Sequence, residues 1–358
     1  MRAADFDFVI PPELIAQAPA VRRDASRMFV LHRDSGQFEH QAFGDLVDYL
    51  RPGDVLVLNN SRVIPARLRG RNASNGGQFE ILLLEEAALN DWWVMLRPGK
   101  RARKGTRILL RDANGMATSL EAVVIEKNGE GHCRLRFGGV GDIVEALDQF
   151  GEVPLPPYIE RKSATELEPD RERYQTVFAK PPGSVAAPTA GLHFTDALLE
   201  RIRRAGVRVC FVTLHVGLGT FAPVKSESLT EHIMHEERYE VSPETAEAIN
   251  KAKASGGRVV AVGTTTVRVL ETIARQEGSE LAAGAGRTRI FIYPPYEFKI
   301  VDVLLTNFHL PRSTLVMLVS AFAAPGATAG RERILSAYAE AVRRQYRFYS
   351  YGDAMLIL

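Results

Sequence analysis

Cysteine is nearly absent: Cys133 and Cys210 are the only 2 in 358 residues, too few for a disulfide framework. Both sit in alternating strand-like runs, which predicts buried, reduced thiols and no redox pair. An excess of one charge is missing too. With 45 basic against 43 acidic residues the formal charge is +2, so any claim about a polyanionic partner has to rest on where the charges lie. Long apolar runs are also missing. The longest, Thr314 to Ala324, is too short to cross a bilayer and has the length of a buried helix. The opening Met1-Arg-Ala-Ala-Asp-Phe-Asp lacks the apolar stretch of a signal peptide, and the expectation is a cytoplasmic protein with no membrane partner. No G-x-x-x-x-G-K-[ST] loop and no G-x-S-x-G elbow occurs, which removes the usual warrants for a P-loop enzyme or a serine hydrolase. What is present is an ordinary globular composition, 46% hydrophobic and 25% charged, in a chain long enough for two domains.

The texture of the chain changes twice. Up to residue 69 it alternates helix candidates (Pro11 to Gln17, Phe43 to Leu50) with strands (Arg27 to His32, Val55 to Asn59). From about residue 70 to 154 it becomes short strands split by Gly and Asn turns: Gln78 to Leu84, Trp92 to Leu96, Thr106 to Leu110, Ser119 to Ile125 and Cys133 to Phe137. Even spacing of such strands predicts a small barrel. Alternation then resumes, with strands at Val207 to Val216, Arg258 to Val262, Arg289 to Tyr293 and Val301 to Thr306. Helix starts are marked by Thr195, Ser242-Pro243, Thr265 and Ser313. The expected fold is an α/β core, residues 1–69 plus 155–358, interrupted by an inserted small all-β, barrel-like domain at 70–154.

Several segments carry chemistry-bearing residues. Ser184 to Thr195 crowds small residues, Pro188 and His193 into a stretch too irregular for helix or strand, the texture of a binding loop. His215-Val-Gly217-Leu-Gly219-Thr-Phe-Ala matches a dinucleotide fingerprint in letters only, because Pro223 and the residues after it give no helix; its glycines instead permit close approach of another group. His232-Ile-Met-His235-Glu-Glu237 places two imidazoles and two carboxylates together. It suits proton transfer, or a solvated loop, better than zinc, which needs a further ligand. Val259 to Arg268 is a strand, a glycine turn and a helix start rich in hydroxyls, with Thr264, Thr265 and Arg268 placed to hold a polar ligand. Asn307-Phe-His309 is a second strand exit of the same kind. Between Arg97 and Arg111 lie seven cations and no acidic residue, Lys100, Arg101, Arg103 and Lys104 among them, which creates a local field for a phosphate backbone. The run from Arg343 to Tyr351 mixes cations and aromatics, a mixture that suits RNA and equally suits a helix end packing on a core.

Taken together these strings resemble one family along almost the whole chain, the S-adenosylmethionine:tRNA ribosyltransferase-isomerases of queuosine biosynthesis. The likeness rests on Leu14-Ile-Ala-Gln17, Asp24-Ala-Ser-Arg27, Asn59 with Arg62-Val-Ile-Pro-Ala-Arg67, Tyr174-Gln-Thr-Val, Ser184 to Thr195, Thr213 to Phe221, Met234-His235 with Glu237, Ala261-Val-Gly-Thr-Thr, Phe291-Ile-Tyr-Pro, Thr306 to Leu310 and Ser350 to Ile357. It implies transfer and isomerisation of the ribosyl part of S-adenosylmethionine onto 7-aminomethyl-7-deazaguanine in a tRNA anticodon loop. Epoxyqueuosine-tRNA, adenine and methionine are the implied products. It also implies a monomer with an inserted barrel, no metal, and no cofactor beyond S-adenosylmethionine, which is consumed as a substrate. On that reading His193, His215, His235 and Glu237 are the candidates for proton transfer. Gly217, Gly219, Thr264, Thr265, Arg268 and His309 are the candidates for the donor, and Arg27, Arg62, Arg67 and the cationic hairpin for tRNA phosphates. Two readings of other classes compete. A catalytically silent RNA-binding module has no need of the histidine motifs, and a metal-dependent hydrolase built on His232, His235 and Glu237 would carry bound zinc.

Overall fold

The computed structural model describes residues 1–112, 115–161, 169–217, 228–276 and 280–358. In chain order the strands are β1 (Arg27–Leu31), β2 (Phe38–Ala42), β3 (Val55–Asn59), β4 (Arg62–Val63), β5 (Arg67–Asn72), β6 (Gln78–Ala88), β7 (Asp91–Arg97), β8 (Arg107–Arg111) and β9 (Ala117–Lys127). They continue as β10 (Cys133–Gly138), β11 (Gly151–Glu152), β12 (Pro182–Ser184), β13 (Arg208–Leu214), β14 (Glu237–Val241), β15 (Val259–Val262), β16 (Gly284–Thr288), β17 (Val303–Asn307) and β18 (Ala354–Ile357).

Nine of them form a sheet in the order β16-β14-β13-β3-β15-β17-β18-β1-β2, whose central run β13-β3-β15-β17 is parallel. Strand β3 reads Val-Leu-Val-Leu without polar alternation because both faces are covered. Val55 and Val57 join one core cluster with Ile249, Leu270 and Phe322, while Leu56 and Leu58 join another with Phe43, Phe194 and Ile202. Helices Pro243–Ala254, Thr264–Gln276, Thr314–Ala323 and Gly330–Arg343 thus pack on one face, and Asp196–Arg204 on the other. Three of these helices start where the sequence predicts, with Thr195, Ser242 and Ser313 each accepting a hydrogen bond from a first-turn N–H.

The remaining long strands close a six-stranded antiparallel barrel, β5-β6-β7-β10-β9-β8, sealed by pairing of β5 with β8. Alternate residues fill it: Phe79, Ile81 and Leu83 from β6, Trp92, Val94 and Leu96 from β7, Leu120, Ala122 and Val124 from β9. Gly70 sits at the seam, where a Cβ would lie 2.5 Å from Ile108 Cγ2 and 2.9 Å from the Leu109 carbonyl. Strand β5 belongs to this sheet from Arg67 onward, and helix Ile143–Phe150, which the strand pattern did not announce, packs Ile143 and Leu147 on the barrel core. Cys133 lies in the barrel core and Cys210 in the larger one, both as free thiols.

Some local expectations change. The strand expected at Arg289 to Tyr293 falls earlier, at Gly284–Thr288, because five residues there pair with β14 and the Thr288 hydroxyl then accepts from Ile290 N–H, turning the chain out of the sheet. The helix expected at Pro11 to Gln17 is a single 3₁₀ turn, Pro12–Leu14, and that at Phe43 to Leu50 is 3₁₀ throughout, Phe43–Tyr49. Ala354–Ile357 is a strand slotted between β17 and β1. Among the described residues no helix is long and apolar enough to cross a membrane.

Candidate active site

Parallel pairing of β13, β3, β15 and β17 brings their carboxyl ends to one edge of the sheet, the place where open α/β sheets bind ligands. The neighbours extend this edge. Antiparallel β14 starts there with Glu237, antiparallel β18 brings Tyr349 to Asp353, and β1, parallel to β18, brings Ser26. Residues far apart in sequence therefore meet around one concavity of about 520 Å³, the open solvent at its mouth included.

Gly263, Thr264 and Thr265 line this pocket with the start of the helix Thr264–Gln276, whose first N–H groups have no partner within the helix. Gly263 adopts φ +85, which lets β15 turn into the helix without a gap. Asn59 fixes the floor, donating to Leu214 O at 3.0 Å and to Thr265 Oγ1 at 3.4 Å while accepting from Leu214 N–H. Opposite stand Thr306, Asn307, Phe308 and His309, with Tyr158 and Tyr349 as aromatic walls whose ring centroids are 4.7 Å apart. Tyr158 OH meets Ser350 Oγ at 2.7 Å. Ala187 to Ala190 complete the lining, so the irregular segment contributes through its small residues. Among the described residues none that line the pocket carries a carboxylate, ammonium or guanidinium.

His309 is 7% exposed, its Nε2 lies 2.9 Å from Thr306 Oγ1, and burial pushes its pKa down to about 3. It is a neutral hydrogen-bonding group at physiological pH. His193 lies just behind the pocket wall, stacked on Phe43, and burial pushes its pKa down to about 4. Asn307 Oδ1 accepts from Thr189 Oγ1 and its amide N–H groups point to Tyr349 O and to His193 Nε2 at 3.3 Å. That leaves Nδ1 of His193 as the N–H donor to Ser26 Oγ at 2.7 Å, with both ring nitrogens engaged.

His215 follows β13, half-buried, with Nδ1 buried and unpartnered. Its pKa is lowered, first by burial and then by the Arg238 charge. Gly183, at φ +140, presses on this ring: a Cβ there would sit 2.7 Å from Nδ1. Glu237 and Arg268, each 5% exposed, form a buried ion pair through Oε2 and Nη1, and Glu237 Oε1 accepts from Gly217 N–H at 3.0 Å. Arg268 Nη2 is buried without a partner. Gly219 lies outside the described residues.

His235 is exposed and is not among the residues lining the pocket; the pKa values of its neighbours His232 and His132 are lowered, first by burial. Among the described residues no group of three or more His, Cys, Asp or Glu is arranged to hold a metal ion. Of the basic residues, Arg27 is committed to Asp353, to the carbonyls of Arg344 and Gln345, and to the face of Tyr346 at 4.1 Å. Arg67 is half-buried, donates to Leu155 O and keeps a buried, unpartnered Nε, while Arg62, Lys100, Arg101, Arg103 and Lys104 are exposed. Tyr158, a pocket residue that no motif singled out, comes from the segment that follows the barrel. The positive φ of Tyr349 is the local sign of its special position.

The fold and this edge define an α/β protein with an inserted barrel and a neutral, aromatic-walled pocket beside buried histidines. A family model described as queuosine biosynthesis protein matches residues 3–357, and the chain belongs to that family. It is 51% identical over 358 residues to the S-adenosylmethionine:tRNA ribosyltransferase-isomerase of Desulforamulus reducens and 49% identical over 358 residues to that of a Thermoanaerobacter species, with 100% of each chain covered in both cases. It is also similar to the crystal structure of S-adenosylmethionine tRNA ribosyltransferase from Thermotoga maritima, at 41% identity and TM-score 0.55, covering 99% of this chain and 100% of that one.

Proposed function

We propose that this chain transfers and isomerises the ribosyl moiety of S-adenosylmethionine onto 7-aminomethyl-7-deazaguanine in a tRNA anticodon loop, giving epoxyqueuosine-tRNA with release of adenine and methionine. The observation that carries this reading is the match of the chain from end to end to relatives bearing that name. It works as a cytoplasmic monomer without metal, and the donor is consumed as a substrate. Residues 70–154 act as a domain inserted in the α/β core.

In this reaction the sulfonium acidifies the 5′ carbon, a base takes that proton and adenine is expelled. The aminomethyl nitrogen then captures the sugar before ring rearrangement expels methionine. His215 is assigned the part of the base because it adjoins the pocket residue Val216 at the exit of β13 and its lowered pKa keeps the ring neutral, a contribution of about 10² to 10⁴ in rate. Glu237 is held by Arg268 and Gly217 N–H and acts by positioning the loop after His215. His193 positions Asn307, and His309, Thr264 and Thr265 bind polar parts of the donor while Tyr158 and Tyr349 flank its rings. His235 stands outside this set.

The tRNA reading draws support from the barrel's register. Arg67 lies at the junction with the core, whereas Ala73 N–H bonds Arg107 O beside the loop that carries Lys100 to Lys104, so the cationic loop lies a strand length, roughly 20 Å, from the junction. Only an extended polyanion reaches both. Incubating the protein with radiolabelled S-adenosylmethionine and tRNA bearing the aminomethyl base tests the proposal: adenine release and label in RNA are expected together. Salt-sensitive RNA binding with neither product would leave an RNA-binding module.

A further inference from the structure

A second cavity adjoins the first, and Ser350 lines both. It lies on the far side of the wall made by Asn307 and His193, between the segment around Pro19 and the turn at Ser350 to Gly352. Among the described residues its lining holds Arg23, Arg173 and Arg347 and no carboxylate. Each guanidinium spends only part of its donors. Arg23 donates to Leu192 O and Glu172 O, Arg173 to Val21 O and Ala20 O, and Arg347 to Ala18 O. Arg173 Nε is buried with no partner. Burial lowers the pKa of Arg23, and the next cause is the like charge of Arg173. The carboxylates nearby compensate little: Glu172 is exposed, and Asp353 is shared between Arg27 and Arg347. Three half-buried cations against one shared buried carboxylate are costly unless an anion completes the site.

We infer that this three-arginine cavity binds one phosphodiester of the RNA strand, and so sets the reacting base in the neutral pocket across the Ser350 wall. The inference rests on the tRNA reading of the neighbouring site. Two oxyanions are at hand in that reaction, an RNA phosphate and the donor's carboxylate. The donor carries a sulfonium and an ammonium against one carboxylate, a net positive charge that three guanidiniums repel, whereas a phosphodiester brings a net negative charge and oxygens that arginine forks match. The mixed run Arg343 to Tyr351 thereby divides its work: Tyr346, Phe348 and Tyr349 are buried in the core, and Arg347 faces the cavity.

The test measures the affinity of the full chain for an anticodon stem-loop carrying the aminomethyl base across a salt series, for the parent protein and for Arg23→Gln, Arg347→Gln and Arg347→Lys. Each glutamine variant is expected to flatten the dependence of log affinity on log salt by a share of the about 0.7 that one neutralised single-strand phosphate contributes, and the lysine variant to retain it. In a second arm, thermal melting of the parent protein is compared in inorganic phosphate, in methionine and in chloride at matched ionic strength. Phosphate alone is expected to raise the melting temperature and to compete with the RNA. Unchanged slopes in folded glutamine variants would overturn the inference. So would stabilisation by methionine in place of phosphate, which would make the cavity the donor's carboxylate site, or no response to phosphate. If the glutamine variants do not fold, the phosphate arm decides alone. A parent protein that binds no RNA and releases no adenine would instead sink the ribosyl-transfer reading, which the phosphate arm does not touch.

Discussion

Glu237→Gln separates a held counter-ion from a catalytic base. The substitution keeps the shape and leaves an oxygen for Gly217 N–H, but removes the charge that faces Arg268. Both partners are 5% exposed and Arg268 Nη2 already lacks a partner, so the guanidinium left behind is a buried charge with almost nothing to compensate it. Removing one partner of such a pair costs about 3 to 5 kcal/mol, and the retained Gly217 bond places the loss near the lower end. With a urea dependence of about 3 kcal/mol per M, the unfolding midpoint falls by about 1 M. Arg268→Met in the same chain removes the orphaned charge and restores most of that loss, because the net worth of a buried pair against apolar replacement is small. The assay is urea unfolding of the parent, both single variants and the double variant, with adenine release measured in parallel. Glu237→Gln that unfolds at the parent's midpoint while losing turnover would refute the reasoning and make Glu237 the base. A double variant no more stable than Glu237→Gln would show that the pair is not the source of the effect.

Acid should destabilise the protein through its buried imidazoles. Folded pKa values of about 4 for His193 and about 3 for His309 lie below the ordinary 6.5, so the unfolded chain takes up protons that the folded chain refuses, and stability falls as pH drops from 6.5. One such histidine accounts for about 2 kcal/mol between pH 7 and pH 5, and His309→Gln should remove that share from the difference between urea midpoints at the two pH values; an unaltered difference would mean that His309 titrates normally. Gly183→Ala puts a methyl 2.7 Å from His215 Nδ1 at a φ of +140, and turnover should drop at least about tenfold; parent-level adenine release would remove His215 Nδ1 from the chemistry. Converting Lys100, Arg101, Arg103 and Lys104 together to Gln should raise KM for tRNA and flatten its salt dependence by about 0.7 to 0.9 for each phosphate no longer neutralised. An unmoved KM would exclude the loop from binding.

The parts of the fold legible in the sequence are those in which local pattern and tertiary environment agree. Val55 to Leu58 is apolar throughout because helices cover both faces of β3, and Phe79, Ile81 and Leu83 alternate because the barrel has one interior. Where pairing alone makes the element, the pattern is silent. Gly284-Ala-Gly-Arg-Thr has little intrinsic strand preference and becomes β16 only because β14 offers an unpaired edge. Ala354–Ile357 is four residues long, and its place between β17 and β1 is fixed by chain segments about 50 and 325 residues away, which no local window contains.

The same division governs the site. Hydroxyls and glycines after a strand announce a ligand-binding turn wherever they occur, so Gly263 to Thr265 and Asn307 to His309 are readable from their own neighbourhoods. The charge state of a side chain is not a local property. Glu237 beside His235 looks like a proton-transfer pair, yet Arg268, 31 positions on, faces Glu237 with Nη1 while His235 is exposed. Arg23, Arg173 and Arg347 lie in three unrelated stretches that look solvated, and only the sheet edge that gathers Ser26, His193 and Ser350 brings them round one cavity. In the proposed binding mode, a neutral pocket sharing a wall with a cationic cavity gives the two substrates different electrostatic surroundings, the cationic donor on one side and the RNA backbone on the other. That separation follows from which strands exit at the edge, and motif spacing carries no trace of it.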